Sequence, residues 1–204
     1  MISVYEKEPT RRLIETLNNL GVEIISTGGT LEYIRSLGIS ATSVESLTGY
    51  PSILGGRVKT LHPAVFGGIL SRSELDSDKL QLIEHNIFAF DMVVVDLYPF
   101  EETLASGATH DEVIEKIDIG GISLIRAAAK NYNDVLVVPS RQYFSEVVDL
   151  LQVSHGSSNL EERKRLAAAA FRVSATYDTA IAGFVGKDFS PVFFKNIDSP
   201  IELR

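Results

Sequence analysis

The chain has 204 residues, 45% of them hydrophobic, with no cysteine and a formal net charge of −8 at pH 7. That length and composition suit a soluble chain with one sizeable core, and the missing cysteines exclude disulfides, thiol catalysis and thiolate metal sites. The acidic balance argues against a nucleic-acid partner, which needs a basic face, yet it leaves room for small anions held by local amides and cations.

No run of about 18 apolar residues occurs, so no transmembrane helix is expected, and the start lacks a basic-then-apolar export signal. A cytoplasmic location follows as the expectation. In chain order, residues 2–5 read as a short strand and residues 9–20 as a helix, with Pro9 in the first turn, Leu13, Ile14, Leu17 and Leu20 on one face, and Gly21 as the stop. Residues 22–26 form a β-branched strand running into Thr27-Gly28-Gly29-Thr30 and a short helix that ends near Gly38. Residues 45–63 look like loop. The clearest buried strand is DMVVVDL at residues 91–97. Thr109 and Glu112 have the spacing of a capping box that opens a helix. A helix over 123–131, a strand over 134–138 and helices over 140–153 and 160–185 complete the body. Short apolar strands separated by helices predict an α/β fold of three layers, a mostly parallel sheet flanked by helices. Residues 187–204, with two prolines and little periodicity, read as a tail or linker.

Ligands of open α/β sheets bind at the carboxyl ends of the strands. The strongest signal sits at such an end: in Ile24-Ile25-Ser26-Thr27-Gly28-Gly29-Thr30, glycines expose amides, hydroxyls can donate and a helix start follows. A phosphate cradle and a plain threonine-capped turn both fit, and neither the Walker pattern nor GxGxxG is present. Arg57 and Lys59 in GGRVKTLHP form a basic loop suited to phosphate or a developing oxyanion, or simply to solvent. Asp96-Leu97-Tyr98 ends the central strand with an acid and a phenol, and Asp118-Ile119-Gly120-Gly121 is a second glycine-rich helix entry. Lys130 ends an alanine-rich helix, where a lysine ordinarily complements the helix dipole.

Taken in order, STGGT, LTGYP, GGRVKTLHP, GGIL, LYPFEET, IDIGG and RAAAKN resemble the inosine monophosphate cyclohydrolase domain of the bifunctional purine-biosynthesis family. The resemblance runs from residue 2 to about residue 186, so a domain over 1–186 and a linker over 187–204 are expected. It implies a methylglyoxal-synthase-like fold and ring closure of 5-formamidoimidazole-4-carboxamide ribotide to inosine monophosphate, with no metal or organic cofactor. By the same resemblance, nucleotide binding falls to Ser3, Tyr5, Glu6, Lys7, Thr27, Gly28, Gly29, Thr30, Arg57, Val58, Thr60, Val95, Asp96 and Ile119. Lys130 would be the catalytic lysine, with Lys59, Tyr98 and Asp118 close to the reacting groups. Family members form homodimers and usually continue into a transformylase domain, so a homodimer and a covalently linked second domain are expectations, while no transformylase activity is expected of this chain.

Five positions depart from the family pattern: Glu8-Pro9 after Lys7 where Thr-Gly is usual, Asp96 where Asn is common, Phe66 after KTLHP and Tyr132 after AAAKN where histidine is frequent. Two other readings share a Thr/Gly phosphate loop, namely a methylglyoxal-synthase-like lyase and a nucleotide-sensing regulatory domain. Neither accounts for KTLHP, IDIGG and AAAKN together.

Overall fold

The computed structural model describes residues 1–187. Five strands, β1 (Ile2–Val4), β2 (Ile25–Ser26), β3 (Thr42–Ser43), β4 (Met92–Asp96) and β5 (Leu136–Val138), form one sheet in the order β3-β2-β1-β4-β5. Every pairing is parallel: Ile2 lies opposite Ser26 and Val94, Ile25 opposite Thr42, and Met92 opposite Leu136. Parallel neighbours need crossover connections. Ten α-helices are present among the described residues: α1 (Arg11–Asn19), α2 (Gly28–Ser36), α3 (Val44–Thr48), α4 (Pro63–Leu70), α5 (Asp76–Glu84), α6 (Phe100–Ala105), α7 (His110–Ile114), α8 (Ile119–Lys130), α9 (Phe144–Val153) and α10 (Leu160–Val185). None is long and apolar enough to cross a membrane.

The central strand shows why the sheet reads as a continuous apolar run. Val93, Val94 and Val95 are all buried, because helices cover both faces and neither side of the pleat meets water. Ala127, Ala128 and Ala129 are buried too, and their small side chains let α8 lie close against its neighbours. Chain order reverses direction across β1: β2 and β3 extend to one side, β4 and β5 to the other. The switch point between β1 and β4 is where such a sheet opens a crevice.

Several boundaries differ from the sequence reading. The strand expected over 22–26 shrinks to β2, because Val22 N–H still bonds Leu17 O and Gly21, at φ +74°, is still turning out of α1. Pro9 sits in a 3-10 turn (Glu8–Thr10) ahead of α1. The stretch 45–63 is not all loop. Ser43 caps α3 by accepting from Ser46 N–H at 3.0 Å, and Gly49 ends it at φ +65°. Five residues are too few to show a helical period. The helix expected from residue 123 starts four residues earlier, at Ile119, and the 140–153 helix begins at Phe144 after a 3-10 turn. Strand β3 and the helices α4, α5 and α6 have no counterpart in the sequence reading. The proposed tail lies outside the described residues except for Lys187.

Candidate functional site

A cleft of about 510 Å3 opens at the carboxyl ends of β1, β2 and β4. Its floor begins with the glycine turn. Thr27 is the residue before α2 but its side chain makes no capping bond; its Oγ1 lies instead 3.2 Å from Ser3 Oγ. The first amides of α2, at Gly28 and Gly29, have no partner within the helix, so the turn presents donors and a positive dipole end. Gly28 adopts φ +42°, a conformation that side chains rarely tolerate. Two ammonium groups from separate segments converge on it: a methyl added at Gly28 would lie 3.7 Å from Lys59 Nζ, and one at Gly29 would lie 3.8 Å from Lys7 Nζ. The plain threonine-capped turn is thereby excluded for Thr27. Thr30 does something else. Its buried Oγ1 accepts from Val4 N–H at 3.1 Å and donates to Val4 O at 3.0 Å, so it ties β1 to α2 and has no hydrogen left for a ligand.

The basic loop is folded by glycine as well. Ile53 and Val58 form an antiparallel bridge, and Leu54, Gly55 and Gly56 between them all have positive φ. This tight reversal brings Arg57, Lys59 and Thr60 to the cleft. Arg57 is ion-paired with Glu115 across the mouth, with both side chains mostly exposed. Thr60 is buried, and its Oγ1 would stand 3.0 Å from a methyl at Gly120. His62 belongs to the scaffold: its Nδ1 accepts from Ala64 N–H at 3.1 Å and caps α4.

The opposite wall carries an acid and a phenol. Asp118 caps α8, with Oδ1 accepting from Gly121 N–H at 2.7 Å. Gly121 cannot be larger, since a methyl there would meet Asp118 Oδ2 at 2.5 Å. Burial pushes the Asp118 carboxyl above its ordinary value, against the opposing pull of the Gly121 and Tyr98 N–H groups and the Lys59 cation. Burial, then the proximity of Asp118 and Tyr5, likewise raises the Tyr98 phenol. Tyr98 meets Tyr5 edge-on at 5.4 Å, and Lys116 Nζ lies 5.4 Å from the Tyr5 ring and 5.8 Å from the Tyr98 ring. The sequence reading missed Lys116 altogether. It also missed Ile114, Glu115 and Ile117, which line the cleft; only their place just before IDIGG hinted at them.

The structure gathers Ser3, Tyr5, Lys7, Thr27, Gly29, Thr30, Arg57, Lys59, Thr60, Asp96, Tyr98, Asp118 and Ile119 around one cleft. Gly28 belongs to the same turn. Four expected residues stand elsewhere. Glu6 is ion-paired with Arg141, Val58 spends its amide on the Ile53 bridge, and Val95 is sealed in the core. Lys130 lies furthest from the place the resemblance implies. It is exposed in the last turn of α8 and does not line the cleft. The cleft is at the start of that helix, about 16 Å away along the axis at about 1.5 Å per residue. Lys130 therefore cannot reach the cleft of its own chain.

Asp96 explains its own departure from the family pattern. Its Oδ2 accepts from Glu6 N–H at 3.3 Å and its Oδ1 from Arg141 N–H at 3.4 Å. A carboxylate offers an acceptor to each N–H, whereas an asparagine has one oxygen to offer. Phe66 and Tyr132 pack against the main core, away from the cleft. Among the described residues, no three His, Asp or Glu side chains gather to hold a metal ion.

A parallel sheet whose switch-point cleft joins a Thr/Gly turn to converging cations has a family. The MGS-like domain model matches residues 11–123, and the chain belongs to that family. Residues 128–203 match the model described as AICARFT/IMPCHase bienzyme. The chain is 51% identical, over all of its 204 residues, to the bifunctional purine biosynthesis protein PurH of Bacteroides thetaiotaomicron, of which it spans 40%. It is 48% identical over 94% of its length to the PurH of Mycobacterium marinum, spanning 36% of that protein, and 47% identical over 93% to that of Aquifex aeolicus, spanning 37%. The chain thus covers about two fifths of the length of these relatives. The solved structure of ForH superposes with a TM-score of 0.78 at 33% identity, over 93% of this chain and 97% of that one. The methylglyoxal-synthase-like fold and the purine-biosynthesis resemblance expected from the motifs are both present.

Proposed function

We propose that the chain closes the last ring of the purine, converting 5-formamidoimidazole-4-carboxamide ribotide to inosine monophosphate and water. The observation that carries this reading is the convergence of Lys7 and Lys59 on the Gly28-Gly29 turn, with Asp118 and Tyr98 lining the same cleft. A ribotide spans such a cleft with its phosphate on the glycine turn and its base toward the acid and the phenol. Similarity to the PurH proteins over the whole chain supports the substrate class.

The chemistry divides into two steps. The carboxamide nitrogen attacks the formyl carbon and loses a proton, then the carbinolamine expels its hydroxyl as water while the neighbouring ring nitrogen loses its own proton. An amide nitrogen is a weak nucleophile, so the site contributes mainly positioning and stabilisation of the alkoxide. Lys59 supplies the positive charge for that oxygen. Asp118, with its carboxyl raised by burial, is a stronger base than an ordinary carboxylate and accepts the amide proton. Tyr98 stays a neutral donor, because burial keeps its phenol protonated. The earlier folate-dependent formyl transfer is assigned to the part of the relatives that this chain does not span.

Incubation of the purified chain with the formylated ribotide, followed by the absorbance of the purine, tests the reading. Steady conversion is expected, with no formylation of the amino precursor from a folate donor. Tight binding of inosine monophosphate without turnover would replace the enzyme with a nucleotide sensor, and elimination of phosphate from a triose phosphate would replace it with a lyase.

A further inference from the structure

The turn that carries Asp118 is held from outside the cleft by a single side chain. Tyr177, in the middle of α10, is buried, and its hydroxyl accepts from Asp118 N–H at 2.7 Å while donating to Lys116 O at 2.8 Å. These two bonds close a ring over Lys116-Ile117-Asp118. A residue at the cap position of a helix has an N–H that the helix itself cannot bond, so Tyr177 satisfies a donor that would otherwise compete for water. The ring is fixed by packing: Phe100 meets Tyr177 edge-on at 6.1 Å and Phe184 at 5.9 Å, and Val113 completes this small second core between α6, α7 and α10. The scaffold behind it is stiff as well, since Arg126 of α8 donates to Ser174 of α10 at 3.2 Å.

We infer that Tyr177 is a positioning residue for the ring-closing reaction, setting the Asp118 carboxylate against the substrate through the Lys116-Ile117-Asp118 turn. The inference rests on the function proposed above. Tyr177 does not line the cleft, so it touches no substrate. It does not titrate in the working range either, because burial pushes its phenol up to about 12. What it governs is placement. Ile117, Asp118, Ile119, Gly120 and Gly121 all line the cleft, and the Asp118 carboxylate is bonded to Gly121 of the same turn. A shift of the turn therefore carries the acid with it, and small misplacements of a reacting group are costly in rate.

Tyr177→Phe keeps the ring and deletes both hydrogen bonds. Its expected effect is a fall of about 10- to 50-fold in kcat, with KM and the affinity for inosine monophosphate changed less than 3-fold. In an Asp118→Asn background the same change should cost less than 2-fold, because the group it positions is already disabled. Leu151→Ala, buried in the main core on α9, is the packing control: it should lower the thermal midpoint and leave kcat within 3-fold. Unchanged kcat in Tyr177→Phe, or a full additional loss in the Asp118→Asn background, would overturn the inference. Amide hydrogen exchange reads the bond without turnover and in the unmutated chain. The Asp118 amide should be protected at least 100-fold despite its place before the helix, and an unprotected amide would also overturn it. A chain that fails to cyclise the ribotide yet shows this protection, lost selectively in Tyr177→Phe, would sink the proposed function and leave Tyr177 as the anchor of Asp118.

Discussion

At its amino-terminal end α8 faces the cleft through Asp118, Ile119, Gly120 and Gly121, whereas at its carboxyl-terminal end Lys130 projects into solvent. The residue after it, Asn131, faces inward: its Nδ2 donates to Ile69 O at 2.9 Å and Ser71 O at 2.8 Å, tying α8 to the end of α4. IDIGG and RAAAKN are about equally distinctive as sequence, yet within one chain the first builds the cleft and the second builds the scaffold. Ala127, Ala128, Ala129 and Asn131 account for the second motif by close packing and by satisfying two helix-end carbonyls. A motif can thus mark a family without every residue in it approaching the chemistry.

The comparison makes graded predictions. The largest effect belongs to the cation at the glycine turn. Lys59→Ala should lower the cyclisation rate about 10²- to 10³-fold, the loss typical of one oxyanion donor. Asp118→Asn should follow, with a loss of about 100-fold or more, and it carries a thermodynamic signature. A carboxyl whose folded pKa lies above its unfolded value destabilises the fold once ionised. That penalty is present at neutral pH and vanishes as pH falls below the unfolded carboxylate value of about 3.9. Asp118→Asn should therefore raise the thermal midpoint at pH 7, and the gain should disappear in acid. A lower midpoint at pH 7 would mean that the acid is held as an ion by its partners rather than strained by burial.

Arg57 should show a middling effect. It must give up Glu115 to meet a phosphate, so Arg57→Ala should weaken inosine monophosphate about 5- to 10-fold by titration calorimetry. Glu115→Ala should strengthen it 2- to 3-fold by freeing the guanidinium. Weaker binding in Glu115→Ala would show that the pair closes over the ligand. At the far end of α8, Asn131→Ala should cost about 2 kcal/mol of stability by orphaning two carbonyls, without altering product affinity. Lys130→Ala should have the smallest effect, about 0.3–1 kcal/mol of stability from the helix dipole and turnover within 3-fold. A loss of 100-fold in Lys130→Ala, with the fold intact, would break the comparison and require a second copy to bring that lysine to the cleft.

Four of the five strands, their parallel sense and most helices were legible because apolar runs, glycine stops and caps are local signals, whereas the two-residue β3 was not. The glycine turn at Thr27–Thr30 was legible because it sits at the carboxyl end of a strand, where open parallel sheets bind ligands. The clustering of Lys59, Tyr98 and Asp118 was legible only through the family resemblance, since Lys59 lies in a loop and Asp118 at a helix start. Tyr177 and Lys116 were not legible. Tyr177 reaches Asp118 across 59 positions of chain, and nothing local to either residue signals the other. Lys130 was misplaced because the motif gave its neighbours in sequence, while a rigid helix set its distance from the cleft. Short elements such as α3 escaped because fewer than two turns leave no period to read.

A structure with inosine monophosphate bound tests the central claim most directly. The phosphate is expected on the Gly28 and Gly29 amides, within reach of Lys7, with the base against Lys59, Tyr98 and Asp118. A phosphate seated away from the Thr27–Thr30 turn, or a base turned out of the cleft, would contradict the account.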